Sequence, residues 1–243
     1  MSTPGILFGV GVGPGDPELM TLKAARVLAR APVVAHFRKR GGPGHARGSA
    51  EGMLAADVIE LALDYPLTTE IAFDSERYRS AMTAFYDDAA TLLAGHLAAG
   101  HDVALLCEGD PFFYGSFMHI YHRLTARHRV EVIPGITGMS ACWTRAGTPI
   151  TCGDDVLTVL PGTLPLEALV ARMRVADALV VMKLGSNFDK VRRALSQTGL
   201  AGRAVYVERG SMAGEIIIPL TDKLDNEAPY FAMILVPGRG RCL

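Results

Sequence analysis

The chain has 243 residues, 49% of them hydrophobic and 20% charged, and a formal net charge of −1. That is ordinary for a soluble globular protein, long enough for one large α/β domain or two small ones with a substantial core. The near-neutral charge gives no bulk pull toward nucleic acid, and no segment approaches the roughly 20 unbroken apolar residues of a membrane span, so neither partner is expected. The opening MSTPGILFG lacks a basic region followed by a long apolar stretch, which makes the cytoplasm the expected location.

The first apolar run, ILFGVGV, leads into GVGVGPGDPELMT, residues 9–21. A dinucleotide loop needs glycines at its first, third and sixth positions, but from Gly9 the sixth is Pro14 and from Gly11 it is Asp16. No glycine in the chain is followed by lysine, so a P-loop is excluded as well. What is left is a strand, a turn built on Gly13, Pro14 and Gly15, and a carboxylate at Asp16 that would repel a pyrophosphate. Asp16 suits a helix start or a cationic ligand, and both readings stand at this point.

A helix over LKAARVLAR and a strand over PVVAHF follow, and then the basic stretch FRKRGGPGHARG, residues 37–48. A strand at DVIEL and a long helix through SERYRSAMTAFYDDAATLLAGHLAA come next, with Asp74 or Ser75 as its N-cap and an end near Gly100. After the strand DVALLC comes EGDPFFYG, residues 108–115, where Glu108 and Asp110 flank Gly109 and Pro111 is expected to begin a helix. Two carboxylates at a strand end hold ribose hydroxyls or face a cation; alternatively, Asp110 is only an N-cap. The strand VEVIP then enters the glycine-rich loop GITGMS.

From Asp155 onward the elements are strand DVLTVLPG, helix LEALVARMR, strand ALVVMKL, helix DKVRRALSQTG, and strands AVYVER, EIIIPL and YFAMILVPG. Strands rich in valine and leucine without polar alternation suit a mainly parallel sheet covered on both faces in the first part. The second part has more strand per helix. The expected fold is therefore α/β in two domains, 1–138 and 139–243.

In open α/β sheets ligands bind beyond the carboxyl ends of strands, and glycine recurs there in both parts. That recurrence predicts a ligand cleft between the two domains. No nucleophile and base pair, serine elbow or metal cluster is evident. His119 and His122 stand at i and i+3 without a third ligand nearby, and no metal is expected. Cys107, Cys142, Cys152 and Cys242 are far apart with no CxxC pair, which predicts reduced thiols. Chemistry done by positioning two substrates fits this inventory.

The ordered set GVGVGPGDPELMTLKAARVL, LLCEGDPFFYGS, VIPGITGMSAC, VVMKLG and YVERGSMAG resembles the tetrapyrrole methylase family across nearly the whole chain. The resemblance implies a homodimeric C-methyltransferase with S-adenosylmethionine as methyl donor and a tetrapyrrole as acceptor. By motif match it implies donor contacts at Pro14, Glu108, Gly109, Asp110, Phe113, Thr137, Gly138, Leu184 and Gly210, with Met182 the alternative to Leu184. A positive sulfonium tolerates nearby carboxylates where a pyrophosphate would not. Arg38, Lys39, Arg40 and Arg47, with His45, either bind the acceptor's carboxylates or form a solvated basic loop. Some members carry an aspartate after the second strand, proposed as a base, and Phe37 stands there in this chain. Asp16 and Tyr114 are then the candidates for polar assistance. The competing readings are an RNA or protein-histidine acceptor on the same fold, and a carrier that binds tetrapyrrole without catalysis.

Overall fold

The computed structural model describes residues 3–67 and 75–240, so Asp74 and Cys242 lie outside the described residues. The chain divides into two compact units, Met1–Thr137 and Gly138–Leu243.

The first unit is a parallel sheet of β1 (Leu7–Gly11), β2 (Val33–Lys39), β3 (Ile59–Tyr65), β4 (Val103–Cys107) and β5 (Val130–Ile133), in the order β3-β2-β4-β1-β5. Alternate residues along each strand face opposite ways. Val33, Ala35, Val103, Leu105 and Cys107 therefore share one core with α3 (Glu76–Ala98) and α4 (Phe117–Leu124). Val34, Ala104 and Leu106 share the other with α1 (Leu22–Leu28) and α2 (His45–Ser49). All five residues of β4 are buried, which explains its unbroken apolar sequence.

Helix α1 follows β1 on one face and α4 follows β4 on the other, so the connections from these two neighbouring strands diverge. The carboxyl ends of strands whose connections diverge in this way are the place where such sheets take ligands. Ser75 caps α3, its hydroxyl accepting from Tyr78 N at 3.2 Å. The helix stops at Ala98, and Gly100 turns the chain at φ 91°.

Two features differ from the sequence reading. The helix expected from Pro111 begins at Phe117, because residues 111–115 are held in turns around Asp110. The basic stretch contains a short helix, α2, whose Ala46 is buried.

In the second unit, β6 (Leu157–Pro161), β7 (Ala178–Met182), β8 (Val205–Glu208), β9 (Ile216–Pro219) and β10 (Ala232–Val236) form a mixed sheet ordered β6-β7-β10-β8-β9. Only β6 and β7 pair in parallel. One face is covered by α6 (Leu166–Met173) and α7 (Phe188–Gln197), and the other by α5 (Gly138–Arg145). Cys107 and Cys142 are buried free thiols, but Cys152 is disulfide-bonded, a correction to the expected set of reduced cysteines. Its separation from other cysteines in sequence concealed this, since folding brings Gly240 back against the Cys152 carbonyl.

The close approach of β1 to α4 gives a test of this packing. A Cβ on Gly9 would lie 2.5 Å from Cε2 and 2.6 Å from Cε1 of Phe117, which is fully buried. Gly9→Ala is expected to lower unfolding free energy by about 1–3 kcal/mol, the usual cost of overpacking. In urea titrations, adding Phe117→Leu should recover part of that loss, so the two substitutions together cost less than their sum.

Candidate functional site

The site is built on backbone. Beyond the ends of β1 and β4 the two chains stay hydrogen-bonded, Val12 N donating to Cys107 O at 2.9 Å and Gly109 N to Gly13 O at 2.8 Å. Gly13 and Gly109 form an antiparallel bridge, at φ 81° and 63°. Pro14, half-buried, sits on this bridged turn between Gly13 and Gly15.

The third loop, after β5, is pressed into the same place. A Cβ on Gly11 would lie 2.6 Å from Gly109 O and 2.7 Å from Gly135 N. Asp110 ties the loops together, accepting from Phe112 N at 2.9 Å with one carboxylate oxygen and from Gly135 N at 3.1 Å with the other. Its two hydrogen bonds go to loop backbone, and Ser116 stands at the N-cap of α4, so the expectation that Asp110 is only an N-cap is corrected. Phe113, Thr137 and Gly138 are half-buried along these loops, with Gly138 opening α5.

Glu108 projects from this knot. It forms no hydrogen bond or ion pair among the described residues, and its surface is exposed. Enough protein nevertheless surrounds the carboxyl that burial pushes it up to about 7. Asp16 is differently employed, its carboxylate accepting from Glu18 N at 2.9 Å to cap the short turn Pro17–Leu19. The structure thus gives Asp16 the helix-start role, with one carboxylate oxygen used in the cap. Tyr114 is exposed, edge-on to Phe113, and holds φ 56°, a strained value for a non-glycine residue.

The basic stretch is largely self-satisfied. Arg38 Nε pairs with Asp64 at 2.6 Å across the β2–β3 register. Arg47, on α2, makes two bonds to Glu60, at 2.5 and 2.8 Å. Both arginines thus pair with carboxylates of β3. Lys39 and Arg40 are exposed.

In the second unit, Leu184 is fully buried, its side chain in the core with Val181, Phe188 and Val191. Met182, the alternative, is half-buried at the end of β7. Gly210 lies between Arg209 and Ser211, at φ 51° and 64°, and a Cβ there would be 2.8 Å from Cys142 Sγ. Beside it, Ser211 Oγ is buried without a hydrogen-bond partner.

Residues 7–224 match the family of Tetrapyrrole (Corrin/Porphyrin) Methylases. The chain belongs to this family. It is 53% identical over 234 residues to the precorrin-2 C(20)-methyltransferase of Sinorhizobium sp, covering 96% of each chain. It is 26% identical over 235 residues to the cobalt-precorrin-2 C(20)-methyltransferase of Salmonella typhimurium, again covering 96% of each. Among solved structures, uroporphyrin-III C-methyltransferase from Thermus thermophilus complexed with S-adenosylhomocysteine superposes with a TM-score of 0.67 at 26% identity, over 95% of this chain and 97% of that one.

Within this tetrapyrrole methylase, Phe37 joins a feature that the sequence did not signal. Its ring stacks on Tyr65 at 5.5 Å and 14°, with Phe85 and Tyr86 closing the cluster. Tyr65 and Tyr86 both reach Ser116 Oγ, at 2.6 and 3.2 Å. Their residues are dispersed over β3, α3 and the start of α4, and no local motif connects them. His119 stacks on Tyr86 at 4.3 Å, and no metal-binding group of three appears among the described residues.

Two measurements probe this geometry. Asp110→Ala should speed hydrogen exchange at the Gly135 amide and lower stability by about 1–2 kcal/mol, because a loop N–H loses its acceptor. The second concerns Glu60, whose carboxyl Arg47 holds below its usual 4.5 by hydrogen bonding. A depressed folded value means the pair stabilises fully above about 4.5 and is lost as pH falls through the lower folded value. Glu60→Gln should therefore flatten the acid limb of stability against pH while leaving the slope above pH 6 unchanged; solvent exposure keeps the effect small.

Proposed function

We propose that the chain transfers a methyl group from S-adenosylmethionine to the C-20 meso carbon of precorrin-2 in cobalamin biosynthesis, giving precorrin-3A. The observation that carries the reading is the 53% identity, over 96% of both chains, to a protein of that name. The lower identity of 26% to the cobalt-precorrin-2 enzyme favours the metal-free acceptor over the cobalt-bearing one.

The chemistry of the site supports the donor. S-adenosylmethionine supplies an electrophilic methyl on a positive sulfur. An unpaired carboxyl at Glu108 and the acidic residue Asp110 suit a cation and would repel a pyrophosphate. Glycine at Gly11 and Gly135 lets the loops pack against one another and fixes the frame beside Glu108, and Ser211 offers an unsatisfied hydroxyl in the second unit. On this reading Pro14, Glu108, Gly109, Asp110, Phe113, Thr137 and Gly138 hold the donor, joined by Gly210 and by the backbone of Leu184 or by Met182.

The protein's work is orientation. The acceptor carbon must approach the methyl opposite to sulfur, with water kept away, and the rigid loop knot supplies a fixed frame for that. Arg38, Lys39, Arg40 and Arg47 are the cations of the basic stretch suited to the acceptor's carboxylates, with Arg38 and Arg47 exchanging partners to reach them. Tyr114, exposed on the β4 loop, is a polar residue suited to assist at the acceptor. The protein is further proposed to act in the cytoplasm as a homodimer, without nucleic acid or membrane as partner.

Purified protein incubated with precorrin-2 and methyl-labelled donor should give a monomethylated product labelled at C-20, with cobalt-bearing acceptor converted at least about tenfold more slowly. Label at another carbon, or none with donor binding intact, would reject the assignment. Calorimetry with S-adenosylhomocysteine separates enzyme from carrier, because a carrier has no use for that ligand.

A further inference from the structure

Replacing hydrogen by methyl at carbon releases a proton, so a C-methyltransferase needs somewhere to put it. Phe37 is packed among aromatic rings and has no proton-accepting atom. Asp16 is engaged in capping and Asp110 in bridging two loops. Glu18, on the turn after β1, is exposed to solvent. Glu108 also has no partner among the described residues, and its backbone is held on both sides by strand β4 and the Gly13–Gly109 bridge.

We propose that Glu108 is the general base of the reaction, taking the proton from the acceptor carbon. The inference rests on the methyltransferase reading above and deepens it. As the carbon–methyl bond forms, the sulfur–methyl bond breaks and sulfur keeps the electron pair, becoming a neutral thioether. The acceptor carries the positive charge until its C–H bond breaks; the proton passes to a Glu108 carboxylate oxygen, and the bonding pair returns to the macrocycle's conjugated system. No oxidant or reductant is needed.

The surroundings suit this role. Burial alone raises the carboxyl to about 7, where a base is both available and strong enough at neutral pH. The titratable neighbours on its own segment are Cys107, a buried thiol pushed above its usual range, and Asp110; no charged group from another element contributes to the displacement of Glu108. A bound sulfonium would favour the ionised carboxylate, so binding of the donor readies the base.

The experiment uses the whole protein and its Glu108→Gln and Glu108→Asp variants. Expected for Glu108→Gln is a fall in kcat of about 100-fold or more, typical for loss of a general base, with S-adenosylhomocysteine affinity within about threefold of wild type. The wild-type kcat/KM for the donor should rise with pH through about 7, with the limb in kcat at lower pH because the bound sulfonium favours the carboxylate; both limbs should disappear in Glu108→Gln and return in Glu108→Asp. A deuterium at C-20 of the acceptor should slow the glutamine variant more than the wild type. Apart from turnover, affinity for S-adenosylmethionine should rise with pH through the same range while that for S-adenosylhomocysteine does not, and Glu108→Gln should abolish the difference.

A glutamine variant with unchanged rate and pH profile overturns the proposal. So does a variant whose whole deficit lies in affinity for S-adenosylhomocysteine, which would make Glu108 a donor contact only. A wild type that methylates C-20 beside an unaffected variant leaves the function standing and removes this role, whereas a wild type that methylates no tetrapyrrole overturns both.

Discussion

The structure depends on three backbone segments meeting where side chains do not fit. Gly11 ends β1, Gly109 and Gly135 come from the loops after β4 and β5, and each excludes a Cβ on its neighbour. Hydrogen bonding follows from that proximity: Gly109 N reaches Gly13 O, and Gly135 N reaches the Asp110 carboxylate. Loops so tied lose the freedom that strand-end loops ordinarily have. The ordering of three loops is thus completed when the sheet forms, and a ligand that binds there need not supply it.

This arrangement also decides which charges are free. Asp110 spends both oxygens on backbone donors, and Asp16 spends one on its own turn. Arg38 and Arg47 are matched to carboxylates on the adjacent strand β3. A sequence shows all of these as charged letters at strand ends, equally available. Folding divides them into groups that hold the frame and a few, Glu108 foremost, that still have bonds to make.

The elements themselves were legible because their causes are local. Unbroken valine and leucine runs mark strands covered on both faces, and Ser75 with the glycine at 100 marks the limits of α3. The motifs at the strand ends were legible for the same reason, and they named the family. What escaped depends on partners distant in sequence. Pro111 looked like a first helical residue, but Asp110 captures Phe112 N and delays the helix to Phe117. That the side chain of Leu184 completes the core beneath β7 was likewise not legible from its place beside Gly185. The pairing of Arg47 with Glu60 needs α2, whose glycine-rich sequence reads as a loop. The bond at Cys152 and the hydroxyl cluster of Tyr65, Tyr86 and Ser116 likewise join residues that no spacing relates.

Charge flow ties the site to its reaction. The donor arrives with a positive sulfur, and that charge passes to the acceptor as the methyl moves and leaves as a proton. A carboxylate fixed near this path stabilises the charge at each stage. A carboxyl of ordinary acidity would do so too, but as the weaker base it would accept the final proton less readily. A lysine or arginine in that place would oppose the charge from the start. A partly desolvated carboxyl with no partner of its own meets both demands: only part ionised at neutral pH when the site is empty, and ionised once a cation is beside it. The backbone knot makes that state available by holding Glu108 at the strand end while its neighbours' carboxylates are consumed by the loops.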